Sequence, residues 1–256
     1  MFALLIALGF VGAFIAGLVG VGGAVVMIPL LLYVPPLFGQ PALDMHTVAG
    51  ITMVQVAAAG VAGLLGHAKH QRIDRRLVVV LGGAMVVGSA AGAAASGVIS
   101  GDVLRAVFAT LALVAAIVMF LPRQERDAGS DQAGPPLNRW LALGSGIAIG
   151  TLVGMVGAGG GFLLVPLMLY VLRIPLRTAV GASLGIVALS GIAGSLGKAA
   201  TDQVNWPLAG ALVVGALPGA LLGAAVSRRA RTATLAYILG VLIAIAAIKM
   251  WWEILS

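Results

Sequence analysis

The 256 residues are 61% hydrophobic and 9% charged, with 15 Lys and Arg against 8 Asp and Glu. A mean hydropathy of +1.13 lies far above that of soluble domains, so we expect an all-α polytopic membrane protein. The chain contains 0 cysteines, which excludes disulfides, thiolate chemistry and cysteine-bound metals.

Hydrophobic runs follow one another along the chain, and most have the length of one helical span. A hydrocarbon core about 30 Å thick needs roughly 20 helical residues. The runs cover 2–34, 46–66, 77–99, 103–121 (with Arg105 near its start), 140–172, 178–197, 206–226 and 232–248. The first and fifth runs are too long for a single span, and each contains a glycine cluster followed by a proline.

The two long runs contain the same motif. Residues 17–34 read GLVGVGGAVVMIPLLLYV, and residues 154–171 read GMVGAGGGFLLVPLMLYV, with glycines, proline and tyrosine at matching positions. At a slightly shorter offset, HTVAGIT at 46–52 matches RTAVGAS at 177–183. The chain is therefore two copies of one unit.

Each repeat is predicted to contain about four hydrophobic runs, with its first run broken at the glycine-rich motif. The membrane repeats are predicted to be 1–121 and 139–256, and we expect them to form one domain together. Residues 122–138, PRQERDAGSDQAGPPLN, form a polar cytoplasmic linker, because Pro, Gly and mixed charges suit a solvated segment.

The distribution of positive charge favours inverted over parallel repeats. If the first run of each repeat returns to the side from which it entered, each repeat crosses the membrane an odd number of times. Of the 15 Lys and Arg, only Arg105, Lys198 and Lys249 then lie on the external side of the membrane. Both termini lie on that side too. Two short complete spans in each long run give the same parity, so a re-entrant loop and a pair of short spans both stay open.

The glycine clusters are expected to interrupt helices at membrane depth. Consecutive glycines occupy several faces of a helix, whereas glycines that serve helix packing occupy one. Unwound backbone at this depth lines a cavity or is buried in protein, and the helix that starts after it offers amides to an anion. The candidate substrate-binding glycines are Gly20, Gly22, Gly23, Gly157, Gly159, Gly160 and Gly161.

The position of the acidic residues also favours an anion as the solute. All 8 Asp and Glu fall in loops or at the ends of runs, whereas a cation carrier normally holds carboxylates inside the membrane. No cluster of residues at catalytic or metal-binding spacing is present, so we expect no enzyme activity, no cofactor and no metal.

Three polar side chains in the second runs are further candidates for binding. Thr52 and Ser183 occupy equivalent positions, and Gln55 follows Thr52 by one helical turn, so all three can donate to an oxyanion. For the hydroxyls the alternative is a hydrogen bond to their own helix carbonyls. For Gln55 the alternative is a hydrogen bond to a neighbouring helix.

Basic residues lie at both ends of the same runs. His46 aligns with Arg177, and His67 aligns with Lys198. Such side chains usually extend to the membrane interface. The functional alternative is a funnel that raises the concentration of anions at the two mouths of the site.

The paired motifs resemble the TauE/SafE sulfite exporter family of membrane permeases. GLVGVGGAVVMIPLL and GMVGAGGGFLLVPLM carry the resemblance, each followed after a short loop by AGIT or VGAS, and it covers essentially the whole chain. It implies transport of sulfite, small organosulfonates or related sulfur oxyanions across the cytoplasmic membrane, often as export. The first copy has Ala24 where the second has Gly161, so the first half-site is expected to be less open.

We therefore expect a secondary transporter that works by alternating access. Its expected partners are a small inorganic or organosulfonate anion and membrane lipid, with no nucleic acid, and an oligomer is compatible with the sequence. Two other functions use the same features. An anion channel would use the amides without alternating exposure, and a membrane scaffold or assembly factor would use the glycines only for packing.

Overall fold

The computed structural model of the protein describes residues 1–19, 24–67, 75–120, 138–174, 176–227 and 232–255. Within these ranges the secondary structure is helical and contains no strand. Among these residues, six helices are long and apolar enough to cross a membrane, and three shorter apolar helices accompany them. The all-α class predicted from hydropathy is confirmed.

The first half of the chain forms α1 to α5. Their bounds are Phe2–Val19 for α1, Ala24–Leu37 for α2, Met45–His67 for α3, 75–98 for α4 and Gly101–Phe120 for α5. Helix α4 contains a π-helical turn over Val78–Gly82 and ends in a tighter 3-10 turn over Ser96–Val98. The first glycine cluster, with Gly20, Gly22 and Gly23, falls between α1 and α2 and lies outside the described residues.

The second half forms α6 to α10 in a corresponding order. Their bounds are Arg139–Val156 for α6, Gly161–Pro166 for α7, Leu176–Ala200 for α8, Trp206–Ser227 for α9 and Thr232–Leu255 for α10. Helix α7 continues as a π-helical segment over Leu167–Val171. The Asn138 side chain accepts from the Leu141 amide and so caps the start of α6. Each half of the described chain thus presents a long helix, a short helix and three further helices.

Helix α1 packs on α9 through glycines that bring the two backbones together. Gly215 faces the backbone of Ile6, and Gly219 faces the backbone of Phe10. Because the residue numbers on both helices rise together along the contact, α1 and α9 run in the same direction.

Helix α4 packs on α6 in the same manner. Gly150 faces the backbone of Met85, and Gly154 faces the backbone of Ser89, so these helices also run in the same direction. The first helix of each half therefore packs on the fourth helix of the other half.

The third helices of the two halves, α3 and α8, pack on each other. Gly60 faces Ala188, and Gly191 faces Ala57. The repeat alignment pairs Gly60 with Gly191 and Ala57 with Ala188, so the two contacts are equivalent. Residue numbers rise along α3 as they fall along α8, and the two helices run in opposite directions where they meet.

We predict that Gly215→Ala destabilises the protein while Gly210→Ala on the same helix does not. A Cβ at Gly215 would overlap the Ile6 backbone, whereas a Cβ at Gly210 has no heavy atom within 4 Å. The first change should lower the free energy of unfolding by about 1–3 kcal/mol. The second should leave it unchanged or raise it by up to about 1 kcal/mol, because Ala favours a helix more than Gly. Thermal unfolding in detergent measures both, and equal midpoints would contradict the described packing of α1 on α9.

Candidate functional site

The second glycine cluster interrupts the fifth hydrophobic run, as predicted. Helix α6 ends at Val156, and α7 begins at Gly161. Between them, Gly157, Gly159 and Gly160 have φ values of 75°, 61° and 82°. This left-handed region is costly for residues with a Cβ and is incompatible with a continuous right-handed helix. We call residues 157–161 the glycine loop.

Hydrogen bonds close the two helix ends that border the glycine loop. The Gly157 and Ala158 amides both donate to the Val153 carbonyl at the end of α6. At the start of α7, the Gly160 carbonyl accepts from Leu163 at 3.1 Å and from Leu164 at 2.8 Å. The earlier amides of this turn, from Gly160 to Phe162, have no preceding helical carbonyl to bind.

Helices α3 and α4 pack directly on the glycine loop, and residues 157–164 are all buried. A Cβ added at Gly157 would overlap the backbone of Ala49, and one added at Gly159 would overlap the Val56 side chain. A Cβ at Gly160 would lie 2.7 Å from Met85 Cε. The loop is therefore enclosed by protein in this conformation.

Thr52 lies on the side of α3 that faces the glycine loop. It follows Ala49 by three residues and precedes Val56 by four, and residues at these spacings share a helix face. Its side chain is buried, and the hydroxyl donates to the Val48 carbonyl at 2.7 Å. The hydroxyl hydrogen is thus used within the helix.

The other two polar candidates are buried but lie differently. Gln55 is 1% exposed, and its Oε1 has no hydrogen-bond partner within the described part of the chain. Because Gln55 precedes Val56 by one position, it points about 100° away around α3 from the residue that touches Gly159. Ser183 is buried on α8. Thr52 therefore shares a helix face with the residues that touch the glycine loop, and Gln55, one helical turn after Thr52, lies further around α3.

Two buried serines that the sequence analysis did not single out connect α4, α8 and the glycine loop. Ser190 Oγ lies 3.4 Å from the Gly159 carbonyl and 3.3 Å from the Val187 carbonyl, and these two acceptors share its single hydroxyl hydrogen. Ser89 Oγ donates to the Ser190 carbonyl at 2.8 Å. Isolated serines in apolar runs have no distinctive spacing, so no signal in the sequence marks this pair.

Lys198 is fully buried, so the interface position expected for its side chain is wrong. The Nζ atom donates to Ser96 Oγ at 2.6 Å, to the Met155 carbonyl at 2.8 Å and to Gln203 Oε1 at 2.9 Å. These three acceptors match the three N–H groups of an ammonium, which explains why the side chain does not extend to water.

His46 lies at the same end of the helical bundle as Lys198. Its Nε2 atom is 2.9 Å from the Ile99 carbonyl, and its ring borders a cavity of about 310 Å³. The other residues that line this cavity are Thr47, Asp202, Gln203, Val204 and Asn205. Gln203 thus belongs both to the cavity and to the Lys198 hydrogen-bond cluster. The side chains of the remaining two funnel candidates, Arg177 and His67, lie outside the described part of the structure.

Apolar helices long enough to span a bilayer, together with a helix broken at a buried glycine loop, define a multi-pass membrane protein. The chain belongs to the Sulfite exporter TauE/SafE family, whose model matches residues 5–250. It is 28% identical to the probable membrane transporter protein YunE of Bacillus subtilis, over 98% of each chain.

Other relatives carry the same description. A probable membrane transporter protein of Xylella fastidiosa is 30% identical, over 96% of this chain and 92% of the relative. The probable membrane transporter protein MJ0441 of Methanocaldococcus jannaschii is 27% identical, over 75% and 70%. No solved structure matches the chain. The protein is therefore a membrane transporter of the TauE/SafE type, and this membership implies a transporter rather than an enzyme.

Proposed function

We propose that the protein is a secondary transporter that exports sulfite or a small organosulfonate across the cytoplasmic membrane by alternating access. The observation that carries this proposal is the buried break between Val156 and Gly161, where the chain has left-handed glycines. The family description, which names sulfite export, supports a sulfur oxyanion as the solute.

In this proposal the glycine loop holds the oxyanion through backbone amides. The N–H groups of Gly160, Gly161 and Phe162 start α7, where the helix dipole adds a partial positive charge. Gly157 and Gly159 give the loop its shape, because both have positive φ. By the sequence repeat, Gly20, Gly22 and Gly23, which lie outside the described residues, would supply the equivalent amides. A charge received by backbone dipoles needs no ionisable side chain at the centre of the membrane.

The polar side chains complete the proposed site. Thr52 shares a helix face with the two α3 residues that touch the glycine loop, and its hydroxyl would donate to the anion in place of the Val48 carbonyl. Ser183 is its repeat equivalent, and it would serve the half-site of the first glycine cluster. Gln55 carries a buried amide oxygen without a partner among the described residues, which a protonated oxyanion would satisfy by donating its hydroxyl.

We infer inverted repeats from the directions of the packed helices. A two-fold axis along the membrane normal would make equivalent helices parallel, whereas an axis in the membrane plane makes them antiparallel. The equivalent helices α3 and α8 are antiparallel where Gly60 and Gly191 make their matching contacts. The parallel pairs, α1 with α9 and α4 with α6, fit the same axis, since each joins the first helix of one repeat to the fourth helix of the other.

The enclosure of the glycine loop supports alternating access. Because α3 and α4 pack on the glycine loop, a solute reaches the loop when these helices move relative to α6 and α7. Small residues at the crossing of α3 and α8 allow the close approach that such a movement needs. The described conformation is then an occluded state of the transport cycle.

Thermal stabilisation of the purified protein by a panel of anions tests the solute class. The panel contains sulfite, thiosulfate, sulfoacetate, sulfate, phosphate and carboxylates, at matched ionic strength. A ligand at a hundred times its dissociation constant should add about 2.7 kcal/mol to the free energy of unfolding. Sulfite or an organosulfonate should give a saturable shift, whereas the general salt effect of sulfate and phosphate rises without saturation. The absence of any saturable shift would contradict the proposed site.

Counterflow in proteoliposomes separates a carrier from a channel. Vesicles preloaded with unlabelled sulfite should transiently accumulate labelled sulfite above its equilibrium level, because one alternating site exchanges the two pools. Simple equilibration of the label, without this overshoot, would favour the channel.

A further inference from the structure

Lys198 is a buried cation without an acidic partner. The ion pairs among the described residues are His46 with Asp44 and Lys249 with Glu253, and neither includes Lys198. Its three acceptors, a hydroxyl, a backbone carbonyl and a side-chain amide, are all uncharged. Buried charges in proteins are normally paired with an opposite charge, so this ammonium has unused capacity to attract an anion.

The position of Lys198 connects the cavity to the glycine loop. On one side its Nζ atom binds the carbonyl of Met155, which precedes Gly157 by two residues at the end of α6. On the other side it binds Oε1 of Gln203, a residue that lines the cavity of about 310 Å³. The ammonium is therefore separated from the cavity by the Gln203 side chain.

We propose that Lys198 is a second anion-binding group, which receives a small oxyanion from this cavity before the anion reaches the glycine loop. Gln203 is the group that the anion displaces from the ammonium. Displacement is favourable because an anion adds a Coulombic attraction to the ammonium that a neutral amide does not supply. This inference rests on the proposed function, and it names the entry route to the same site.

Other charged groups border the cavity and must be weighed against Lys198. The Asp202 carboxylate lines the same cavity and repels anions. Asp44 lies 3.8 Å from the His46 ring, which reduces any positive contribution from that side. Among these described residues, Lys198 is the group that can give the cavity a preference for anions.

Charge-selective labelling of a single cysteine tests the inference without requiring a known substrate. Because the chain contains 0 cysteines, Gln203→Cys introduces a unique thiol at the boundary between cavity and ammonium. The purified full-length variant is treated separately with a sulfonate-bearing and a trimethylammonium-bearing methanethiosulfonate. We expect the anionic reagent to label the thiol faster than the cationic reagent does. The ratio of the anionic to the cationic labelling rate should fall roughly tenfold when Lys198→Gln is added, because that change removes one positive charge within several ångströms of the thiol. An unchanged ratio would overturn the inference.

Two control variants separate charge from structure. Ser96→Ala removes one acceptor of Lys198 but keeps the ammonium, so the ratio at Gln203→Cys should stay within about twofold of its value in the single variant. If Lys198→Gln does not fold, Asn205→Cys at the cavity wall serves as the reference, with Lys198 intact. The ratio at position 203 should exceed the ratio at 205 several-fold, and equal ratios would overturn the inference. Since labelling involves no sulfite, a chain that shows no saturable shift with sulfite or an organosulfonate but shows the Lys198-dependent ratio would refute the proposed substrate and keep the anion preference at Lys198.

Discussion

Gly157→Ala is expected to abolish saturable oxyanion binding and sulfite counterflow. At φ 75° a Cβ costs about 1–2 kcal/mol, and here it would also overlap the backbone of Ala49. The loop can accept the methyl group only by moving away from α3, which displaces the amides that follow it. We expect the affinity for sulfite to fall by at least about a hundredfold, because several charge-assisted hydrogen bonds lose their geometry together. Thermal stabilisation by sulfite measures this loss.

Gly39→Ala is the matched control for backbone strain. Gly39 has a φ of 68°, close to that of Gly157, but no heavy atom lies within 4 Å of an added Cβ. This variant should lose about 1 kcal/mol of stability and keep its affinity for sulfite. If Gly157→Ala does not fold, Gly160→Ala replaces it, because there the nearest obstacle is the flexible end of Met85. Wild-type affinity in both loop variants would show that the loop does not bind the anion.

Gly60→Val and Gly191→Val are expected to lower the free energy of unfolding by about 3 kcal/mol each. A Cβ at Gly60 would lie 2.9 Å from Ala188 Cα, and one at Gly191 would lie 3.0 Å from Ala57 Cα. Both contacts involve backbone atoms, which cannot turn aside as a side chain can. The contacts are equivalent under the repeat, so the two losses should be similar, and both variants should slow counterflow. Thermal unfolding measures the loss of stability in each variant.

Gly83→Val on α4 is the control for this pair. A Cβ at Gly83 has no heavy atom within 4 Å. The unfolding midpoint of the Gly83→Val variant should therefore stay close to that of the wild type. A large loss at Gly60 with none at Gly191 would contradict the equivalence of the two contacts, and with it the axis that we infer between the repeats.

The interruption of the fifth run was predictable because its cause is local. Several glycines within five positions remove the side chains that favour a right-handed helix, and the observed break falls between Val156 and Gly161. The repeat was equally readable, since it is a property of the sequence itself. The two halves of the chain indeed form helices in corresponding order.

The surroundings of the site were not predictable in the same way, because they depend on residues far apart in the chain. Lys198 sits in GKAA near the end of a run, where a lysine at the interface and a buried one have the same local pattern. Its burial is decided by Ser96 and Met155, which belong to α4 and α6. Similarly, Ser190 acquires a role only because α8 places it beside the Gly159 carbonyl.

The most direct test of the account is an experimental structure with a bound oxyanion, using the panel member that gives the largest saturable shift. We expect anion density about 3 Å from the amides of Gly160, Gly161 and Phe162, at the start of α7. Anion density bound elsewhere, with the glycine loop still enclosed by Ala49 and Val56, would contradict it.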